Sequence, residues 1–181
     1  MKKQNRMVKS WLALALVLVM ALAMTACGAK APNPEYVKFF EDHGIQHQDL
    51  TASKGKCASF VTADSDDFVY VMEYIYKGDV INTMRETLYS PVEGADEAGL
   101  EELASLLKEM AAEANGFDGI DAEWGKGSEH YWFAFTIEDL DTEEGIENAM
   151  ESDLVEMSSS EGLLSMTVTR ENMEQDGYIE K

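Results

Sequence analysis

The stretch "DFVYVMEYIYKGDVINTMRETLYS", residues 67–90, leaves this chain few folds to choose from. Phe68, Tyr70, Met72, Tyr74 and Tyr76 alternate with Val69, Val71, Glu73 and Ile75, a period of two over nine residues. "KGD" at 77–79 interrupts the pattern, and a second alternating run follows from Val80 to Tyr89. Two extended runs around a three-residue turn that contains glycine predict a β-hairpin. A shorter strand is expected before it, through "ASFVT" at 58–62. Both faces of these strands carry apolar side chains, so both faces of the sheet need cover.

Helical spacing takes over after Ser90 and Pro91. In "ADEAGLEELASLLKEMAAEANG", Leu100, Leu103, Leu107, Met110 and Ala114 fall on one face, and Leu106 and Ala111 widen it. Asp96 is placed to cap the start and Gly116 to stop the end. A second hairpin is expected from "FDGIDAEWGKGSEHYWFAFTIED", turning at "GKGS", with Tyr131, Phe133, Phe135 and Ile137 on one side and Trp132 on the other. Asp141 and Glu144, three apart, have capping-box spacing and predict a short helix after the hairpin. "PEYVKFFEDHG" predicts another between Pro34 and Gly44, with Tyr36, Phe39 and Phe40 as its apolar face. "GLLSMTV" at 162–168 reads as a strand or as the approach to a last helix in "TRENMEQDG". No strand–helix–strand unit suggests parallel pairing. The expected class is therefore α+β: an antiparallel sheet of hairpins, one long helix packed on a face, and short terminal helices.

The other end of the chain concerns location. Lys2, Lys3, Arg6 and Lys9 precede an apolar run from Trp11 to Met24. Its fourteen residues would make a helix of roughly 21 Å, short of about 30 Å of bilayer hydrocarbon. A basic start, a short apolar centre and small residues at the end describe a secretory signal. "MTACG" places Cys27 directly after Thr25 and Ala26, which resembles the lipobox of bacterial lipoproteins. That resemblance implies diacylation of the Cys27 thiol and cleavage just before it. The competing reading is an ordinary cleaved signal with a coincidental cysteine. The expected organisation is a signal peptide at 1–26, a lipidated cysteine and tether at 27–34, and one domain at 35–181. The expected place is the cell membrane, held by lipid on its extracytoplasmic side.

Cleavage sharpens the charge. The leader holds four basic residues and no acid, so the mature chain keeps 10 Lys and Arg against 35 Asp and Glu, a formal net charge of −25. Phosphate backbones and anionic lipid surfaces repel such a body, which argues against nucleic acid and against lying flat on a membrane. Cys57 is then the one remaining thiol, so no internal disulfide framework is expected. A small buried side chain in "KCASFVT" accounts for it.

Residues 67–141 resemble a known family. "EYIYKGDVINTMRETLYS", an acidic and leucine-rich helix, "GFDGIDAEW" and "HYWFAFTIEDLD" are similar to the YehR-like small bacterial lipoproteins. The family's hairpin carries one more residue after Gly-Asp, where this chain has "VINTM". The resemblance implies an α+β domain on a lipid anchor. It transfers no catalytic residue, because the family is itself uncharacterised.

The chemistry-bearing residues point to no reaction. His43 and His47 are four apart and flanked by Asp42 and Asp49, a helical metal spacing, but Gly44 between them ends the helix. A polar linker is the expected reading, with His130 opening a strand. "DSDD" at 64–67, "EDLDTEE" at 138–144, and Asp118 with Asp121 lack the alternating oxygens of a calcium loop. There is no glycine-rich phosphate loop, nucleophile elbow or His-Glu-x-x-His. No catalytic, cofactor-binding or metal-ligating residue is therefore nominated, and no cofactor is expected. The expectation is a non-enzymatic binding or protein-interaction module of the cell envelope, its contacts being the membrane through Cys27 and a possible envelope protein. The alternative is a lipoprotein that binds a divalent cation or small ligand through its acidic surface.

Overall fold

The computed structural model describes residues 32–94, 96–152, 154 and 163–181. The expected signal peptide at 1–26, Cys27 and residues 28–31 of the expected tether lie outside the described residues, and Asn33–Lys181 forms one compact unit. In chain order its elements are α1 (Pro34–Asp42), β1 (Lys56–Ala63), β2 (Val69–Lys77), β3 (Val80–Pro91), α2 (Glu97–Ala114), β4 (Ile120–Lys126), β5 (His130–Ile137), α3 (Glu143–Glu151), α4 (Met166–Gln175) and β6 (Ile179–Glu180). The six strands form one antiparallel sheet in the order β4-β5-β3-β2-β1-β6.

The turn of the first hairpin is two residues, tighter than the three expected: Lys77 already pairs with Val80, and Gly78 takes a φ of +66°. Left-handed backbone at that point favours glycine, and Asp79 follows it. Register is not uniform along the hairpin. Ile75 pairs with Thr83 but Tyr76 with Ile81, so Asn82 is an extra residue on β3, a β-bulge inside "VINTM". The bulge is used. Asn82 donates through Nδ2 to Asp141 at 2.6 Å, and its carbonyl accepts from Leu140 N at 2.8 Å.

That contact corrects one expectation. Asp141 does not cap α3; Thr142 does, its hydroxyl accepting from Gly145 N at 3.0 Å. Asp96 caps α2 as its position suggests, accepting from Gly99 N at 2.8 Å. "GLLSMTV" resolves in favour of a helix: Ser165 caps α4, which runs Met166–Gln175. The two-residue β6 was not anticipated, and it pairs with β1.

Alternation along the strands divides the apolar side chains between two faces. Phe60, Met72, Glu86, Phe135 and Ala122 make one register row; Ser59, Glu73, Arg85, Thr136 and Asp121 make the neighbouring row on the opposite face. The first face carries the larger core, closed by Leu107, Ala111 and Ala114 of α2, Ala149 of α3 and Met166 of α4. Burying one such leucine contributes about 1.5–3 kcal/mol. The second face carries Val61, Val69, Val71 and Tyr89 under Tyr36 of α1 and Ile45. Cover is thus shared among four helices. No helix among the described residues is long and apolar enough to cross a membrane.

The 18-residue α2 is rotated from the expected stripe. It buries Leu107, Ala111 and Ala114, half-buries Leu100 and Leu103, and turns Leu106 (52% exposed) and Met110 (37%) outward. Cys57, expected buried, is half-buried on β1.

Candidate functional site

Glu73 stands at the middle of β2, on the face covered by α1, and is 1% exposed. A carboxylate in that position must be paired, because unpaired burial of a charge costs several kcal/mol. The hairpin supplies the partner. The bulge at Asn82 sets Arg85 directly across from Glu73, and Arg85 Nε donates to Glu73 Oε2 at 2.6 Å with Nη2 against the same oxygen. The other oxygen, Oε1, accepts from the backbone N–H of Leu50 at 2.6 Å.

Leu50 belongs to the loop between α1 and β1, and the same loop brings His47 onto this face. The imidazole stacks on Phe40 with 5.2 Å between ring centroids and 7° between planes. Its Nδ1 lies 2.7 Å from the Tyr89 hydroxyl. Its Nε2 lies 3.3 Å from Glu73 Oε2 in a side chain only 5% exposed. The approach is close but not aligned, and Nε2 has no hydrogen-bond partner. Two residues on, Asp49 accepts from the Tyr36 hydroxyl at 3.2 Å and from Lys181 Nζ at 2.6 Å. The Tyr36 hydroxyl also lies 2.6 Å from Ser59 Oγ, in the register row of Glu73.

Burial, reinforced by the charge of Asp49, pushes the Tyr36 phenol far above its usual range; burial and the charge of Glu73 do the same for Tyr89. Both phenols stay protonated hydrogen-bonding groups at ordinary pH. Donor atoms of His47, Asp49 and Glu73 all lie within 4.8 Å of one another. One imidazole nitrogen and two carboxylates at that spacing can hold a proton or a cation between them.

The two histidines flagged by their spacing part company. His43 lies at the end of α1, with Nδ1 2.8 Å from the Phe39 carbonyl and its ring on Phe39, whereas His47 turns inward. His47 has Glu73 and Asp49, not His43, as its near potential ligands. Sequence reasoning missed Glu73 and Arg85 as a pair. The signal was there: two opposite charges placed almost symmetrically about the "KGD" turn, one residue out of register. Of the acidic clusters, Asp64 turns the β1–β2 loop, accepting from Asp66 N, Phe68 N and the Tyr70 hydroxyl. Asp118, Glu138, Asp139 and Glu144 line a shallow cavity of about 220 Å³ beside the start of α3. His130 is the first residue of β5, edge-on to Tyr89, and burial holds its imidazole below the usual value.

A second feature lies on the opposite face of the sheet. Leu106 and Met110, one helical turn apart, stand outward on α2 beside the exposed carboxylates Glu102, Glu109 and Glu113. Met110, Glu113, Ala114, Phe117, Ser152 and Leu154 line a mainly apolar cavity of about 190 Å³ at the end of that stripe.

No protein-family model matches the chain, and no curated protein does. Solved structures do. The NMR structure of the E. coli YehR protein superposes with a TM-score of 0.53 at 15% identity, over 72% of this chain and 93% of that one. The NMR structure of a protein from Streptococcus pneumoniae TIGR4 superposes with a TM-score of 0.52 at 14% identity, over 76% of this chain and 92% of that one. At such low identity the likeness concerns the fold alone. The antiparallel sheet with helices on both faces is a YehR-like fold.

Proposed function

We propose that this chain is a lipoprotein of the YehR-like type, anchored through Cys27 on the extracytoplasmic side of the cell membrane, and that it acts there as a non-enzymatic protein-contact module. The observation that carries this reading is the outer face of α2, the long helix on the larger core: Leu106 and Met110 exposed next to the cavity at Met110, Phe117 and Leu154, with Glu102, Glu109 and Glu113 along one side. Apolar side chains presented together on a surface mark contact sites. The acidic border and the strongly negative body select an envelope protein whose own apolar patch is bordered by Lys or Arg, since complementary charge speeds encounter and excludes acidic competitors.

The test is crosslinking in the intact membrane, with a photoreactive side chain at Leu106 and a control at the β2–β3 turn. A discrete adduct at Leu106, lost with Met110→Lys and absent from the control, supports the module. Equal labelling at both positions overturns it. Cys27→Ser should abolish fatty-acid incorporation and release the protein from the membrane fraction; retention would overturn the lipid anchor.

A second reading, a divalent-cation-binding lipoprotein, is favoured by one observation: the convergence of His47, Asp49 and Glu73.

A further inference from the structure

We propose that His47 Nε2, Glu73 and Asp49 form a binding site for a transition-metal dication, Zn²⁺ in the first instance, with water completing its coordination. This deepens the cation-binding reading and rests on it; the α2 surface stands or falls separately.

Zinc bonds of about 2.0–2.1 Å to nitrogen and about 2.0–2.2 Å to carboxylate oxygen set neighbouring donors of a tetrahedron roughly 3.3–3.5 Å apart. Nε2 of His47 and Oε2 of Glu73 are 3.3 Å apart, and no hydrogen bond explains the approach. With Nδ1–H directed at the Tyr89 oxygen, Nε2 presents a lone pair to the carboxylate, and a cation between them would relieve the repulsion. Asp49 adds a third potential ligand, one donor atom from each of the three residues lying within 4.8 Å of the others. One nitrogen and two oxygens suit Zn²⁺ better than Ca²⁺ or Mg²⁺, which take oxygen alone.

The surroundings orient each ligand. Metal-binding histidines usually give their other ring N–H to a fixed acceptor, which keeps the coordinating nitrogen free. The Tyr89 oxygen is placed to accept from Nδ1 at 2.7 Å, and Phe40 holds the ring plane. Leu50 N steadies Glu73, while Tyr36 and Lys181 steady Asp49. A carboxylate has about four lone-pair sites, so these contacts leave room for an ion.

Two cationic groups oppose it. Arg85 crowds Glu73 Oε2 with two nitrogens, Lys181 Nζ lies 2.6 Å from Asp49 Oδ2, and the charge of each repels a second cation there. The site is therefore weaker than one with an unshared carboxylate, and Arg85 sets how much weaker. A purely structural ion pair would give Arg85 no such influence on metal affinity.

The experiment uses the full chain purified in detergent and stripped with chelator. Zn²⁺ is titrated by calorimetry, and Co²⁺ serves as a visible-absorption probe of low coordination number. Expected are one Zn²⁺ per chain, an intense Co²⁺ band, and a tenfold or greater loss of affinity in both His47→Gln and Tyr89→Phe, in line with the roughly 10–100-fold cost of disturbing the groups that orient metal ligands. His43→Gln should bind as the parent does. Arg85→Gln, if folded by circular dichroism, should bind Zn²⁺ more tightly. The proposal is overturned by a folded chain that takes up no Zn²⁺, by affinity unchanged in His47→Gln, or by Arg85→Gln binding no better than the parent. Ca²⁺ binding that persists equally in His47→Gln, without Zn²⁺ binding, would likewise overturn this site while sustaining cation binding by the acidic surface.

Discussion

At the scale of single residues, the two glutamates on neighbouring rows of β2 and β3 differ in what surrounds them. Glu73 faces α1 and meets Arg85 and the N–H of Leu50. Glu86 faces the larger core, across from Met72 and Phe135, and its burial raises the carboxyl above the usual carboxylate range. The sign of that shift sets a pH dependence. A group with a raised folded-state pKa contributes its full stability below the unfolded-state pKa and loses it as pH rises through the folded value. Charged Glu86 therefore costs stability at neutral pH and nothing in acid. Glu86→Gln should raise the thermal midpoint at pH 7 and leave it unchanged at pH 3, as followed by circular dichroism at both values. A midpoint lowered at pH 7 would mean that Glu86 has a charged partner there.

The elements were legible where periodicity was long and ambiguous where a single residue decided. Both hairpins and α2 follow from alternation or helical spacing sustained over at least seven residues. The α3 cap did not, since Asp141 and Thr142 are adjacent and both good caps; the bulged Asn82, far away in sequence, engages Asp141 and leaves the capping role to Thr142. Bulges depend on tertiary contacts, which is why the Glu73–Arg85 pairing was hidden too. The rotation of α2 has the same origin, because spacing names a stripe but the sheet chooses which edge of it to bury. Thr142→Ala should lower stability by about 1 kcal/mol through loss of the Gly145 N–H contact. Asp141→Ala should cost less, since it breaks one exposed side-chain contact. Urea unfolding of the two variants compares them directly, and the reverse order would restore Asp141 as the cap.

At the scale of the whole molecule, the ends of the described domain meet. Asn33 donates to the Glu180 carbonyl at 3.0 Å, Ile179 pairs with Val61, and Lys181 reaches both the Ser59 carbonyl and Asp49. Nothing in the last residues, "YIEK", has the length or alternation of a strand, so no local reading could have found this closure. Removing residues 179–181 should uncover the β1 edge and loosen α1 and His47 while leaving β2–β5 in place. Hydrogen exchange checks this: amides of β1 and α1 should lose protection and those of β5 should keep it. Uniform loss would show instead that β6 supports the entire sheet.

The bond between Asn33 and Glu180 also bears on mechanics. Any tension that travels along the chain from its N-terminal side enters the domain at Asn33 and reaches a clasp of only two β6 residues before it reaches the longer strands. Under a steady pull the clasp and α1 should yield first, because the five longer strands are each paired over at least seven positions and β6 over two. The short β6 pairing is thus a weak link where the two ends of the described domain meet, and Lys181, next to it, holds Asp49 in the loop that carries His47.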